Sequence, residues 1–338
     1  MKIFTFLRNF IFEFFHIVIA FVLLIPFVAT LSEDNSSDWE IYVNESGTNP
    51  YITEYGQVYI AAHRGGGGNA PQNTMMAIEM LVKEKENTGA DIAEFDVQLT
   101  KDGKLVLIHD LTYDNLSDAT EFFGRENISV NSLTYEQARQ LNMGERFKLN
   151  GEKPYKGLRG DAIPDNLRIP LCDDVMKYIE ENCTEDKFNY LIEVKAIGSD
   201  SRKATDELYK LIEKYNLKGR VMWSTFDPFL SGYMEKNYPE IPRSANALEA
   251  VQFIFYARMD WNFDVAGATY EALQVPYGSS ALDGFINTGT REFLNYAHKN
   301  HIAVQYWTIN DESEISYLVN NGADCIITDF PERISQYS

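Results

Sequence analysis

The chain has 338 residues, 45% of them hydrophobic, and its 50 acidic and 30 basic side chains give a formal net charge of −20. A surface of that sign repels polyanions at long range, which excludes nucleic acid as a partner and disfavours anionic lipid. The apolar share is enough for one large α/β domain, roughly 250 residues for a (β/α)8 barrel, with chain left over for an insertion.

Residues 1–31 stand apart from the rest. Lys2 and Arg8 precede an uncharged run over residues 17–31. A bilayer-spanning helix needs about 20 apolar residues, so the run is short for a span. It reads as a hydrophobic helix serving as a transmembrane anchor or a signal segment. Ala29 and Thr30 make a poor cleavage pattern, which favours the anchor. The early positive charges keep the N-terminus inside and place the remaining chain outside the cytosol, membrane-anchored, or secreted if the segment is cleaved. Residues 32–56 form a polar linker.

From residue 57 onward, strand-like and helix-like segments alternate. Strands are expected at residues 57–63, 92–99, 104–109, 190–194, 220–224, 244–248, 269–275, 302–307 and 324–328. Helices are expected at 74–86, 171–182, 201–215, 228–237, 291–300 and 312–320. Repeated strand–helix units imply a parallel sheet, here an irregular TIM (β/α)8 barrel over residues 57–338. Residues 100–103 are too few for a crossover helix and must form a tight turn. Residues 110–168 carry their own Tyr and Phe side chains and read as a small inserted subdomain, because a structureless loop of that length is improbable in a compact domain. Cys172, Cys183 and Cys325 are an odd number that fits no disulfide framework, and they read as structural.

The first strand delivers His63 and Arg64 into four consecutive glycines, Gly65 to Gly68, followed by Pro71-Gln72-Asn73-Thr74. Glycine lets a backbone pass close to a ligand. An imidazole and a guanidinium beside such a loop suit a phosphate oxyanion that needs a proton donor. In the next strand Glu94 and Asp96 share one face while Phe95 and Val97 share the other. Two carboxylates on one face repel unless a cation lies between them, and a metal ion is the simplest solution. His109-Asp110 ends the following strand and adds a second imidazole able to act as acid or base. Glu193 and Lys195 repeat the alternation: Glu193 completes a three-carboxylate cation site and Lys195 offers a point charge to a phosphate oxygen. All-oxygen ligation suits Ca2+ or Mg2+. Phe226 and Trp307, near later strand ends, are candidate pocket walls.

These motifs resemble, in order and over most of the chain, the glycerophosphodiester phosphodiesterase family: His63-Arg64-Gly65, Pro71-Gln72-Asn73-Thr74, Glu94-x-Asp96, His109-Asp110, Glu193-x-Lys195 and Trp307-Thr308-Ile309-Asn310. Thr328-Asp329-Phe330-Pro331 resembles the family's closing strand. The resemblance implies a TIM barrel with an insertion after His109-Asp110, and metal-dependent hydrolysis of a small-molecule glycerophosphodiester to glycerol 3-phosphate and an alcohol through a cyclic phosphate. It implies that Glu94, Asp96 and Glu193 hold Ca2+ or Mg2+. It also implies that His63 and His109 are the acid–base pair and that Arg64 and Lys195 bind the phosphate. Gln72 departs from the family's usual Glu, and a neutral amide cannot balance the charge of Arg64. Competing readings are a lipid-directed relative with lysophospholipase D or phosphatidylinositol phospholipase C-like activity, a glycosidase using Glu94 and Glu193, and a non-catalytic binding protein on the same scaffold.

Overall fold

The computed structural model describes residues 49–264, 267–277 and 287–337. The hydrophobic N-terminal segment lies outside them. Among the described residues no helix is long and apolar enough to cross a membrane.

The strands are β1 (Tyr59–Ala62), β2 (Ile92–Leu99), β3 (Leu105–Leu107), β4 (Asn189–Val194), β5 (Val221–Ser224), β6 (Ala272–Pro276), β7 (Ala303–Trp307) and β8 (Cys325–Thr328). All but β3 run parallel, in the order β5-β4-β2-β1-β8-β7-β6. The strand expected at 244–248 does not form. Two isolated parallel bridges, Trp223 to Arg243 and Ser244 to Ala272, join β5 to β6 in its place. They form the eighth stave and close the sheet on itself as a TIM barrel. Asn246 then begins a helix, because its side chain caps the amides of Leu248 and Glu249 while the Glu249 carboxylate reaches back to the Asn246 amide.

The longer helices are α1 (Met75–Lys83), α2 (Cys172–Asn182), α3 (Ser199–Lys214), α4 (Pro228–Asn237), α5 (Ala247–Arg258), α6 (Arg291–Lys299) and α7 (Glu312–Asn321). Local chemistry sets their starts. Thr74 caps α1, Asp227 caps α4 ahead of Pro228, Thr290 caps α6 and Asp311 caps α7. Gly322, at φ 100°, ends α7. The turn at 100–103 is a tight hairpin, closed by Gly103 at φ 74° and by the Thr100 amide donating to the Lys104 carbonyl at 3.0 Å. It folds β3 back antiparallel onto β2.

Alternation along the strands sorts the side chains into two layers. Phe95, Val97, Ile192, Trp223, Val304 and Ile326 pack outward in one core with Val175 and Leu208 of the helices. Ala61, Ile92, Leu191, Ala272, Ala303 and Cys325 fill the lower barrel interior. The inserted segment has short helices at Ala119–Phe123 and Tyr135–Ala138 and its own apolar cluster around Tyr113, Ile128, Leu133 and Leu141. The three cysteines are free and buried.

Candidate active site

The inward parity that puts Ile92 and Leu191 in the barrel floor carries Glu94, Asp96 and Gln98 up β2, and Glu193 and Lys195 up β4. The same parity takes Ala61 to His63 at the end of β1. Polar side chains thus replace apolar ones where the strands reach their C-terminal ends, the end at which TIM-barrel active sites sit. Seven of the nine residues singled out from the sequence lie at or just past the C-terminal end of a strand, while Glu94 and Asp96 lie along β2, which continues to Leu99 to pair with β3.

His63 follows β1, and its Nδ1 lies 2.7 Å from Asp329 Oδ1, just beyond β8. Asn310, past β7, donates from Nδ2 to Asp329 Oδ2 at 2.8 Å and accepts the Asp329 amide at 2.9 Å. Burial pushes the Asp329 carboxyl up, but the bonds from His63 and Asn310 outweigh it and hold the group below the usual carboxylate range. The glycine loop makes this approach possible. The Gly68 amide donates to the Asp329 carbonyl at 3.1 Å, and a Cβ on Gly68 would stand 2.4 Å from the Phe330 ring.

Arg64 has left-handed backbone at φ 53°, a region a side-chain-bearing residue occupies when its surroundings hold it there. Its amide donates to Glu94 Oε2 at 2.5 Å, and its carbonyl accepts the Asn73 amide at 2.9 Å. Its guanidinium reaches Gln72 Oε1 through Nη1 and lies 3.5 Å from Asp96 through Nε. The neutral Gln72 therefore does contact Arg64. Asn73 orients Asp96, donating to Oδ2 at 2.9 Å and accepting the Asp96 amide at 3.2 Å.

His109 repeats the His63 arrangement, with Nδ1 2.9 Å from Asp110 Oδ1. That bond, with help from Asn115, holds the Asp110 carboxyl low despite burial. Gln98 donates to the carbonyls of Ile108, His109 and Asp110 at 2.8–3.1 Å, fixing the loop that carries the imidazole. Lys195 Nζ is 2.7 Å from Glu193 Oε1, 3.8 Å from Asp96 Oδ1 and 5.2 Å from the Phe226 ring centre. Phe226 meets Trp307 edge-on at 5.9 Å, so the two aromatics do stand together at the mouth.

Burial and the neighbouring Asp96 push the Glu94 carboxyl well above its ordinary range. Burial raises Glu193 too, against the opposing pull of Lys195. These shifts mark a surplus of negative charge, and hard oxygen donors of this kind fit Ca2+ or Mg2+. The donor chemistry fits, but the side chains are not drawn up as a coordination shell. Among the described residues no three His, Cys, Asp or Glu side chains converge closely enough to hold a metal ion, and the carboxylates lean on Arg64 and Lys195.

Sequence reasoning gave no role to the supporting set of Asp329, Asn310, Asn73 and Gln98. Three of them stand inside the motifs that carry the family resemblance, and Gln98 continues the alternation of Glu94 and Asp96 along β2.

Fold and site together define a TIM-barrel enzyme. Residues 63–333 match the family model for the glycerophosphoryl diester phosphodiesterase family, and the chain belongs to that family. A glycerophosphodiester phosphodiesterase from Caldanaerobacter subterraneus is 28% identical over 277 residues, 81% of this chain and 95% of that protein. Two solved structures share the fold. A glycerophosphodiester phosphodiesterase from Agrobacterium tumefaciens has a TM-score of 0.59 at 18% identity, covering 82% of this chain and 99% of that one. A phosphodiesterase from Oleispira antarctica, in complex with the product sn-glycerol-3-phosphate, has a TM-score of 0.61 at 20% identity, covering 83% of this chain and 96% of that one.

Proposed function

We propose that this chain hydrolyses glycerophosphodiesters to glycerol 3-phosphate and an alcohol, with His63 and His109 as the acid–base pair. The observation that carries the reading is that both imidazoles have Nδ1 against a carboxylate, Asp329 and Asp110. Such a partner accepts from Nδ1–H and leaves Nε2 as the nitrogen that exchanges protons with substrate. Family membership supports the reading, as does the glycerol 3-phosphate product held by the Oleispira antarctica relative.

In this scheme Arg64 and Lys195 bind the nonbridging phosphate oxygens, and Phe226 and Trp307 wall the mouth. Glu94, Asp96 and Glu193 would hold a divalent cation, Ca2+ or Mg2+, which when bound polarises the phosphate and offsets charge growing on its oxygens. One histidine takes the proton of a glycerol hydroxyl as that oxygen attacks phosphorus. The other gives its proton to the alkoxide as the bond from phosphorus to the leaving alcohol breaks. Water then opens the cyclic phosphate with the proton roles reversed, which restores both rings.

Hydrolysis of glycerophosphocholine with added Mg2+ or Ca2+ tests the assignment. His63→Ala and His109→Ala should each lower kcat by about 10²- to 10⁴-fold. Near-parental turnover by either variant would overturn the role given to that residue.

A further inference from the structure

The mouth is apolar on one side. Leu111, Ile197, Phe226, Phe229 and Leu248 are all exposed, Phe229 to 73% and Phe226 to 51%. They follow the C-terminal ends of consecutive staves: Leu111 after β3, which lies on β2, Ile197 after β4, Phe226 and Phe229 after β5, and Leu248 after the bridge at 243–244. Contacts tie these loops together. The Leu111 carbonyl accepts the Val130 amide at 3.1 Å, Asn131 donates to Asp200 beside Ile197 at 3.2 Å, and the Phe226 carbonyl accepts the Ala247 amide at 3.4 Å. Single exposed apolar side chains need no explanation, but several gathered on neighbouring loops of one face mark a ligand-binding or interaction surface.

We propose that this rim binds an apolar chain carried on the alcohol arm of the diester, an inference that rests on the diester hydrolysis proposed above. Phe226 makes the connection. Its ring lies under Lys195, the proposed phosphate ligand, and Phe229 stands three residues on, in the first turn of α4, with its side chain in water. One arm of a diester phosphate held by Lys195 would have this surface beside it. A quaternary ammonium is the poorer occupant, because Lys195 already lies over the Phe226 ring and would repel a second cation. Placing the chain on the alcohol also leaves the attacking glycerol hydroxyl free. The net charge of −20 disfavours an anionic bilayer as the occupant.

The test compares three glycerol 3-phosphate diesters, of 1-octanol, ethanol and choline, below any micellar concentration. The octyl ester should exceed the ethyl ester at least tenfold in kcat/KM, which partial burial of its extra methylenes supplies. The double variant Phe229→Ser/Ile197→Ser, at two exposed positions whose replacement spares the core, should lose at least fivefold on the octyl ester and stay within twofold on the other two. Octyl and ethyl esters turned over equally, or a preference that survives the double variant, overturns the inference while the hydrolytic reading stands. Binding to phosphatidylcholine vesicles without a chain-length effect makes the rim a membrane contact and overturns it as well. Turnover of none of the three removes the hydrolytic reading and this inference together.

Discussion

At the scale of single residues, the chemistry turns on which nitrogen each imidazole shows to the substrate. His63 has Asp329 on Nδ1, and Asn310 holds that residue twice, donating from Nδ2 to its carboxylate and accepting its backbone amide on Oδ1. An Asn at position 329 would keep the shape and lose the charge, and its amide could turn an N–H toward Nδ1 and stabilise the wrong tautomer. Asp329→Asn should therefore lower kcat about 10²-fold, leave KM nearly unchanged and displace the limb of the pH–rate profile that His63 sets. An equal fall at every pH together with a raised KM would mean that Asp329 only holds the loop. Six of the nine candidates could be grouped from the sequence, Glu94, Asp96, Glu193 and Lys195 because alternation on β2 and β4 fixes which side chains share a face, and His63 and Arg64 because the glycines after them mark a close approach. Asp329 and Asn73 stood in the quoted motifs without a role, and Gln98 shares the face of Glu94 and Asp96 but is neutral. They act by orienting other groups, and orientation is a property of the folded loops, not of spacing along the chain.

At the scale of elements, the weakest stave is the most informative. Residues 244–248 look strand-like on apolar content alone, yet Asn246 and Glu249 form a reciprocal cap that starts α5 two residues after the bridge. That spacing was visible in the sequence, and the local cap prevailed over the apolar run. Little ladder bonding is left to hold the stave, so a side chain does much of it. Buried Arg243 makes two bonds of 2.7 Å to the Glu249 carboxylate, one of 2.6 Å to Thr269 and one of 3.1 Å to the Ser244 carbonyl. Removing the guanidinium strands a partly buried carboxylate beside the closure point. Arg243→Ala should cost about 3 kcal/mol in urea unfolding. A loss under about 1 kcal/mol, the range of an exposed ion pair, would show that the seam is held by packing alone.

At the scale of the whole molecule, the fold drives unlike staves to a common end and concentrates charge there. Glu94, Asp96 and Glu193 share the inward face of neighbouring β2 and β4, where Asp96 pairs with both Arg64 and Lys195 and Glu193 with Lys195. The barrel order was readable from the alternation of elements, because repeated β–α units admit few closed arrangements. The balance of charge at the mouth was not, because it depends on which cations the loops bring within reach. A divalent ion that binds this cluster in the folded chain, and not in the unfolded one, must raise stability by mass action, about 2.7 kcal/mol at a hundredfold excess over Kd. For a domain of this size that is a gain of roughly 5 °C or more in Tm. Thermal melts in Ca2+ or Mg2+ against chelator should show it without any substrate. Glu94→Gln should flatten the response, and in chelator it should melt no lower than the parent, since it relieves repulsion with Asp96. Equal melting with and without the ions, or a cation gain that survives Glu94→Gln, would mean that Arg64 and Lys195 alone balance these carboxylates and that no cation belongs between them.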